Sequence, residues 1–175
     1  MNQRTRLILT AMPVLCLAVA SIEHAVAQQK QQVSFKVPAA NSNYTQQLTV
    51  DVKDMLGHVV RVFGIHYTFT NNSPVVNGLK LVESWDRGFG DRIDGSGSLT
   101  LYSEYVMENG DRFFTRSVGV VQNTGGKLSS TTTGIITGGT GKFATIQGDV
   151  RGGAAFDYKT GVSEPQTDIE YSIGK

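Results

Sequence analysis

Cysteine is almost absent from this 175-residue chain, which has only Cys16. That residue lies in an N-terminal apolar stretch expected to be cleaved off, so the mature chain has no disulfide, no thiolate nucleophile and no Cys-based metal site. Net charge is also nearly absent: 16 Lys and Arg against 15 Asp and Glu give +1. Such a balance leaves no electrostatic footprint for nucleic acid and no patch for an anionic membrane. No segment carries a sustained 3.6-residue apolar period, so crossover helices are not expected, and without them a parallel sheet is excluded. Only Val52–His58 could hold a short helical turn. No run is long and apolar enough to span a bilayer as a helix, which takes about 20 residues. A Gly-x-Ser-x-Gly nucleophile elbow is missing as well.

What the N-terminus does contain is a leader pattern. Arg4 and Arg6 form a positive n-region, Leu7 to Ala20 an apolar stretch, and Ala25-Val26-Ala27 a small-x-small cleavage site. Residues 1–27 therefore read as a secretory signal peptide and residues 28–175 as a single exported domain, periplasmic or secreted, with no membrane insertion after cleavage. Leu15 before Cys16 is larger than the residue a lipoprotein signal places there. Loss of Arg4, Arg6 and Glu23 takes the net charge to 0. About 148 residues remain, enough for one hydrophobic core.

Strand-like runs recur through that domain at short spacing: Val33–Val37, Tyr44–Val52, Val59–Phe69, Gly78–Trp85, Gly97–Met107, Arg112–Gln122, Lys127–Thr137, Phe143–Phe156 and Thr167–Ile173. Turn chemistry separates them: Asn71-Asn72-Ser73-Pro74, Asp94-Gly95-Ser96-Gly97, Asn109-Gly110, Thr124-Gly125-Gly126 and Lys159-Thr160-Gly161. Asn109-Gly110 is the clearest hairpin signal, and a type I′ turn is expected there. Eight or nine antiparallel strands in one domain imply a sandwich or a closed barrel.

Late in the chain, Gly138-Gly139-Thr140-Gly141-Lys142-Phe143 is followed by Gly148. Such glycines mark a tight strand-to-strand corner that needs positive φ or close backbone approach. A phosphate-binding loop is excluded, because the first glycine of its pattern would fall at Ile136 and Phe143 replaces the Mg²⁺-ligating hydroxyl. The same residues resemble the signature of the allene oxide cyclase and dirigent protein superfamily. The resemblance extends to Gly95–Tyr102 and Asp111–Gly119 and covers roughly residues 78 to 156. Where plant members show Ala-Arg-Gly, this chain has Ile146-Gln147-Gly148, which points to a distant bacterial-type branch. The resemblance implies an all-β fold: an eight-stranded antiparallel β-barrel with a central cavity, calycin-like or allene oxide cyclase-like, assembling as a homodimer or homotrimer. It further implies a small apolar or phenolic ligand and no metal or organic cofactor.

Period-2 alternation nominates side chains for such a cavity. Leu79, Leu81, Glu83 and Trp85 share a face, which makes Glu83 an acid on an apolar surface: either a general acid or base, or a strand-end residue paired or solvated. Tyr102 shares a face with Glu104, and Tyr105 one with Leu99, Leu101, Ser103 and Met107. Either phenol could polarise a ligand oxygen. Arg116 lies with Phe114, Val118 and Val120, a partner for Glu83 or Glu104 or a stabiliser of developing charge. His66 lies with Val60, Val62 and Thr68; with His58 it makes a poor metal site, so no metal is expected. The candidates are thus Glu83, Arg116 and Tyr102 for catalysis, and Trp85, Tyr105, His66 and Phe114 for ligand contact. Three functions fit: a binding module, a cofactor-independent isomerase or cyclase acting in the same cavity, or an envelope protein with a filled core.

Overall fold

A computed structural model describes residues 29–157 and 163–174; the expected leader and the Lys159-Thr160-Gly161 turn lie outside them. Ten strands follow in order: β1 (Gln31–Lys36), β2 (Ser42–Asp51), β3 (His58–Thr68), β4 (Val75–Val76), β5 (Leu79–Ile93), β6 (Ser96–Met107), β7 (Arg112–Thr124), β8 (Lys127–Gly139), β9 (Ile146–Asp157) and β10 (Ser163–Ile173). The fold is all-β and every pairing is antiparallel. Val52–His58, the one segment that could hold a short helical turn, is the loop of a hairpin, closed by Val52 N–H donating to His58 O at 3.1 Å.

The hydrogen-bonded order is β1-β10-β9-β8-β7-β6-β5-β3-β2, with β4 paired to β5 at the side. The ladder is not closed: β1 and β2 stand at its ends and are not paired with each other. The short connection between them bridges the gap. Val37 N–H donates to Pro165 O at 3.0 Å, and Asn41 Nδ2 donates to Thr68 O at 2.9 Å, so this connection touches both β10 and β3. Inside, the Phe35 ring meets Phe69 edge-on at 5.5 Å and Tyr105 at 6.4 Å.

Turn chemistry sets the register. Asp94 and Gly95 both have positive φ, 49° and 84°, and directly join the paired residues Ile93 and Ser96. This is the two-residue turn whose twist matches the strands it connects. At Asn109-Gly110 only the glycine has positive φ (87°). Met107 O accepts from Gly110 N–H at 2.9 Å, and Met107 N–H donates to Asp111 O at 2.8 Å. The connection is a three-residue loop ending in a left-handed glycine, not the expected type I′ turn.

The glycine-rich string forms the corner before β9. A 3-10 turn covers Gly141–Phe143, and the strand begins at Ile146 rather than at Phe143. Gly141 has φ 52°, and a Cβ there would lie 1.9 Å from Asp111 Oδ1. Asp111 Oδ2 accepts from Lys142 N–H at 2.9 Å, and Thr140 Oγ1 accepts from Arg112 N–H at 2.9 Å. The string thus clamps the corner onto the β6–β7 hairpin, and it drives Phe143 into full burial.

Inward residues form two groups. One holds Leu81, Met107, Phe113, Phe143, Ile146 and Ile169, among others, where β5, β7 and β9 begin and β6, β8 and β10 end. The second holds Val37, Phe63, Leu99, Val121 and Leu128, with Ile65 and Tyr67, towards the opposite end. Burying each such side chain contributes on the order of 1.5–3 kcal/mol. Alongside the second group the interior is not filled.

Candidate functional site

A cavity runs along the second group and reaches Tyr105 and Val150 of the first; it is lined from eight strands, β2, β3 and β5 to β10, and gives the centre of a water molecule about 80 Å³ to occupy. At roughly 10–15 Å³ per water centre, that is the room of about six waters, the bulk of one substituted ring. Its lining mixes apolar residues such as Phe63, Leu101 and Val150 with the hydroxyls of Ser103, Ser117 and Thr132.

One layer of this lining is polar. Asp86, on β5, stands opposite Ser103 on β6 and Ile65 on β3. Burial pushes its carboxyl up to about 6, against hydrogen bonds from Ser103 and Tyr67 and the Arg87 charge, which favour ionisation. Tyr105, two residues from Ser103, lines the same cavity and is almost fully buried. Desolvation, reinforced by the Asp86 charge, raises its phenol well above the ordinary range, so it stays a hydrogen-bond donor. A carboxyl that titrates near 6 beside the protonated Tyr105 phenol can exchange a proton with a ligand or hold its oxygen.

The other polar feature is cationic. Arg92 is 3% exposed, faces inward from β5, and its guanidinium lies 5.8 Å from the Phe156 ring centre. Arg61, on β3, also lines the cavity, while its Nη2 donates to Gln47 Oε1 at 2.8 Å. Tyr44 lies close enough to feel both arginines; burial raises its pKa and their charges oppose that rise.

Of the residues nominated by sequence, only Tyr105 lines this cavity. Glu83, Trp85 and His66 meet elsewhere, on the outer face of the sheet. His66 Nε2 is 2.8 Å from Glu83 Oε2, and the imidazole stacks on the Trp85 indole at 4.0 Å with 14° between planes. Tyr102, at 52% exposure, and Arg116 are paired with each other in register and exposed outside. Phe114 is half-buried on that same outer face, since its neighbours Phe113 and Thr115 point in. Arg116 is not the partner of Glu104, whose carboxylate is 2.6 Å from Arg112 Nη1 and 3.4 Å from Arg87 Nη1.

The cause of the reversal on β5 is one residue. Leu81 pairs with Met107 but Glu83 pairs with Val106, so β5 carries a bulge at Val82. A one-residue slip moves every later side chain to the other face. Leu81 stays inside, Glu83 and Trp85 move out, and Ser84, Asp86, Gly88, Gly90 and Arg92 turn in. Reading from the sequence missed Asp86, Arg92 and Arg61. The signal available was the Asp94-Gly95 turn: counted backwards from it, Arg92, Gly90, Gly88 and Asp86 fall opposite the face of Leu99, Leu101 and Ser103.

No family model matches this chain, and no curated protein or solved structure is significantly similar to it.

Proposed function

We propose that this chain is an exported barrel protein that binds a small apolar or phenolic molecule in its central cavity. The observation that carries this reading is the unfilled interior beside the second packed group, apolar over much of its wall and furnished with a few convergent polar groups, the usual make-up of a small-molecule site. In this reading the coiled sheet works as a barrel of the allene oxide cyclase and dirigent type, its β1–β2 gap covered by the Val37–Asn41 connection. The glycine-rich corner, with Phe143 buried beneath it, supports the same relationship. Cleavage after Ala27 and export belong to this proposal, as does assembly into a homodimer or homotrimer.

Asp86 favours a second reading, a cofactor-independent isomerase or cyclase acting in the same cavity. A carboxyl poised near 6 with the Tyr67 and Tyr105 phenols around it suits proton transfer at a ligand oxygen or its neighbouring carbon. In that reading Asp86 takes the acid–base role, because Glu83 does not reach the cavity.

Native mass spectrometry of the mature protein purified from its own host, followed by denaturing extraction, tests both readings. A stoichiometric small molecule supports the binding reading, and its conversion by the protein would support the second. An empty protein that also shows no thermal shift with apolar and phenolic compounds would overturn both in favour of a structural role.

A further inference from the structure

The cavity is electrically lopsided. Among the described residues lining it, Arg61 and Arg92 are the cations and Asp86 is the carboxylate. Arg92 and Asp86 sit on one strand six positions apart, roughly 20 Å at the usual rise per residue. The positive and negative ends of the cavity are therefore distinct places. Arg61 and Arg92 belong together: Arg61 stands opposite Gly90 in the β3–β5 ladder, which makes Arg92 its diagonal neighbour on the inward face. Tyr44 responds to both charges, so they act on one region of the interior.

The residues around this pair suit a ligand. On the inward face Gly88 and Gly90 make room that neighbouring side chains use: a Cβ at Gly88 would lie 2.1 Å from Phe63 Cζ and one at Gly90 3.2 Å from Arg92 Nε, so the glycines seat the ring and the guanidinium that line the cavity. Phe156 offers a ring face to the guanidinium, and Phe63 and Leu99 give apolar wall beside it. Guanidinium groups bind carboxylates through paired N–H donors, and the burial of Arg92 strengthens that attraction.

We propose that the cavity selects small organic acids, a ring or short chain bearing one carboxylate, with the carboxylate lodged against Arg92 and Arg61 and the apolar body directed towards the Asp86–Tyr105 layer. This rests on the cavity-binding reading above and narrows its ligand to an anion. Neutral phenols and alcohols of the same shape would fill the same space without engaging the two arginines.

The test compares 3-(4-hydroxyphenyl)propanoate with the corresponding alcohol, 3-(4-hydroxyphenyl)propan-1-ol, by isothermal calorimetry on the mature protein at neutral pH. The acid should bind at least about tenfold more tightly, the scale of one well-made charged contact. Arg92→Met should remove most of that advantage and leave the alcohol's affinity within about twofold, with Arg61→Gln showing a smaller effect in the same direction. Equal or tighter binding of the alcohol by the unmodified protein would overturn the anion proposal and leave the cavity reading standing. Binding of neither compound, nor of any ring-bearing acid or alcohol of similar size, would overturn both. If Arg92→Met fails to fold, the acid–alcohol comparison on the unmodified protein and the Arg61→Gln variant still decide the matter.

Discussion

Asp86 stands directly opposite Ser103 across the β5–β6 ladder, and the Ser103 hydroxyl is one of the two that hold its carboxyl inside the cavity. That pairing follows from the Val82 bulge. Without the extra residue Asp86 would point to solvent and Glu83 into the interior. The polar layer of the cavity is thus created by a register shift.

The raised pKa of Asp86 makes stability depend on pH. Its folded value of about 6 lies above the ordinary 3.8, so the folded state holds the proton more tightly than the unfolded chain does. Stability from this group is complete below about pH 4 and is lost as pH rises to about 6 and beyond. Asp86→Asn keeps the shape and removes the charge. The variant should be more stable than the parent at pH 8, by on the order of 2 kcal/mol, and no more stable at pH 4. Urea denaturation midpoints at the two pH values check this; an equal effect at both would mean that the carboxyl is not desolvated.

His58 provides a second, separable pH dependence. Its Nδ1 lies 2.5 Å from Asp54 and its Nε2 2.8 Å from Asp91, so both ring nitrogens face carboxylates and the doubly protonated ring is favoured. Hydrogen bonding to Asp91, then to Asp54, raises its pKa above 6.5. This contribution is fully present below the unfolded value of 6.5 and fades as pH rises through the higher folded one. The contact ties the β2–β3 loop to β5. His58→Gln should therefore flatten the stability profile above about pH 6.5, whereas Asp86→Asn flattens it below. NMR titration of the His58 ring should give a midpoint above 6.5, the ordinary histidine value, and a midpoint at or below it would refute the clamp.

Much of this fold is legible in the sequence: β1 to β3 and β6 to β9 begin and end within three residues of where alternation and turn residues place them, whereas β4 is not signalled, β5 runs on to Ile93 and β10 begins at Ser163. The alternation of β6 also holds, with Leu99, Leu101, Ser103, Tyr105 and Met107 sharing one face as expected, which the structure turns inward. What alternation cannot show is a bulge, because an inserted residue leaves composition and turn signals untouched. The Gly78–Trp85 run therefore gives the right face at Leu81 and the wrong one from Glu83 onward. The Gly78–Trp85 run also stops short of the strand, which continues to Ile93 through Gly88 and Gly90, residues that weaken a strand on propensity alone. They are tolerated here because the space beside them is used by neighbouring side chains.

Gly88 shows that use most directly. A Cβ at this position would lie 2.1 Å from Phe63 Cζ, so the ring occupies the place a side chain would take. Gly88→Ala should cost about 1–3 kcal/mol through overpacking, since Phe63 is buried and cannot swing to solvent. Combining it with Phe63→Leu should recover a good part of that loss, which a double-mutant cycle on thermal unfolding would measure. Additive effects would mean that the two residues do not share this space.

The division of the sheet into two faces also separates the nominated residues by experiment. Glu83, Tyr102 and Arg116 lie outside the cavity, so Glu83→Gln, Tyr102→Phe and Arg116→Gln should leave ligand affinity within about twofold of the parent. Tyr105→Phe removes a buried donor from the cavity wall and should weaken an oxygen-bearing ligand by about tenfold, the scale of one hydrogen bond with its desolvation penalty. Calorimetry with whichever compound proves to bind provides the readout. A large effect from Glu83→Gln with none from Tyr105→Phe would move the binding site to the outer face, onto the His66–Trp85 stack. The opposite pattern would assign it to the Asp86 layer, where the bulge at Val82 places the polar groups.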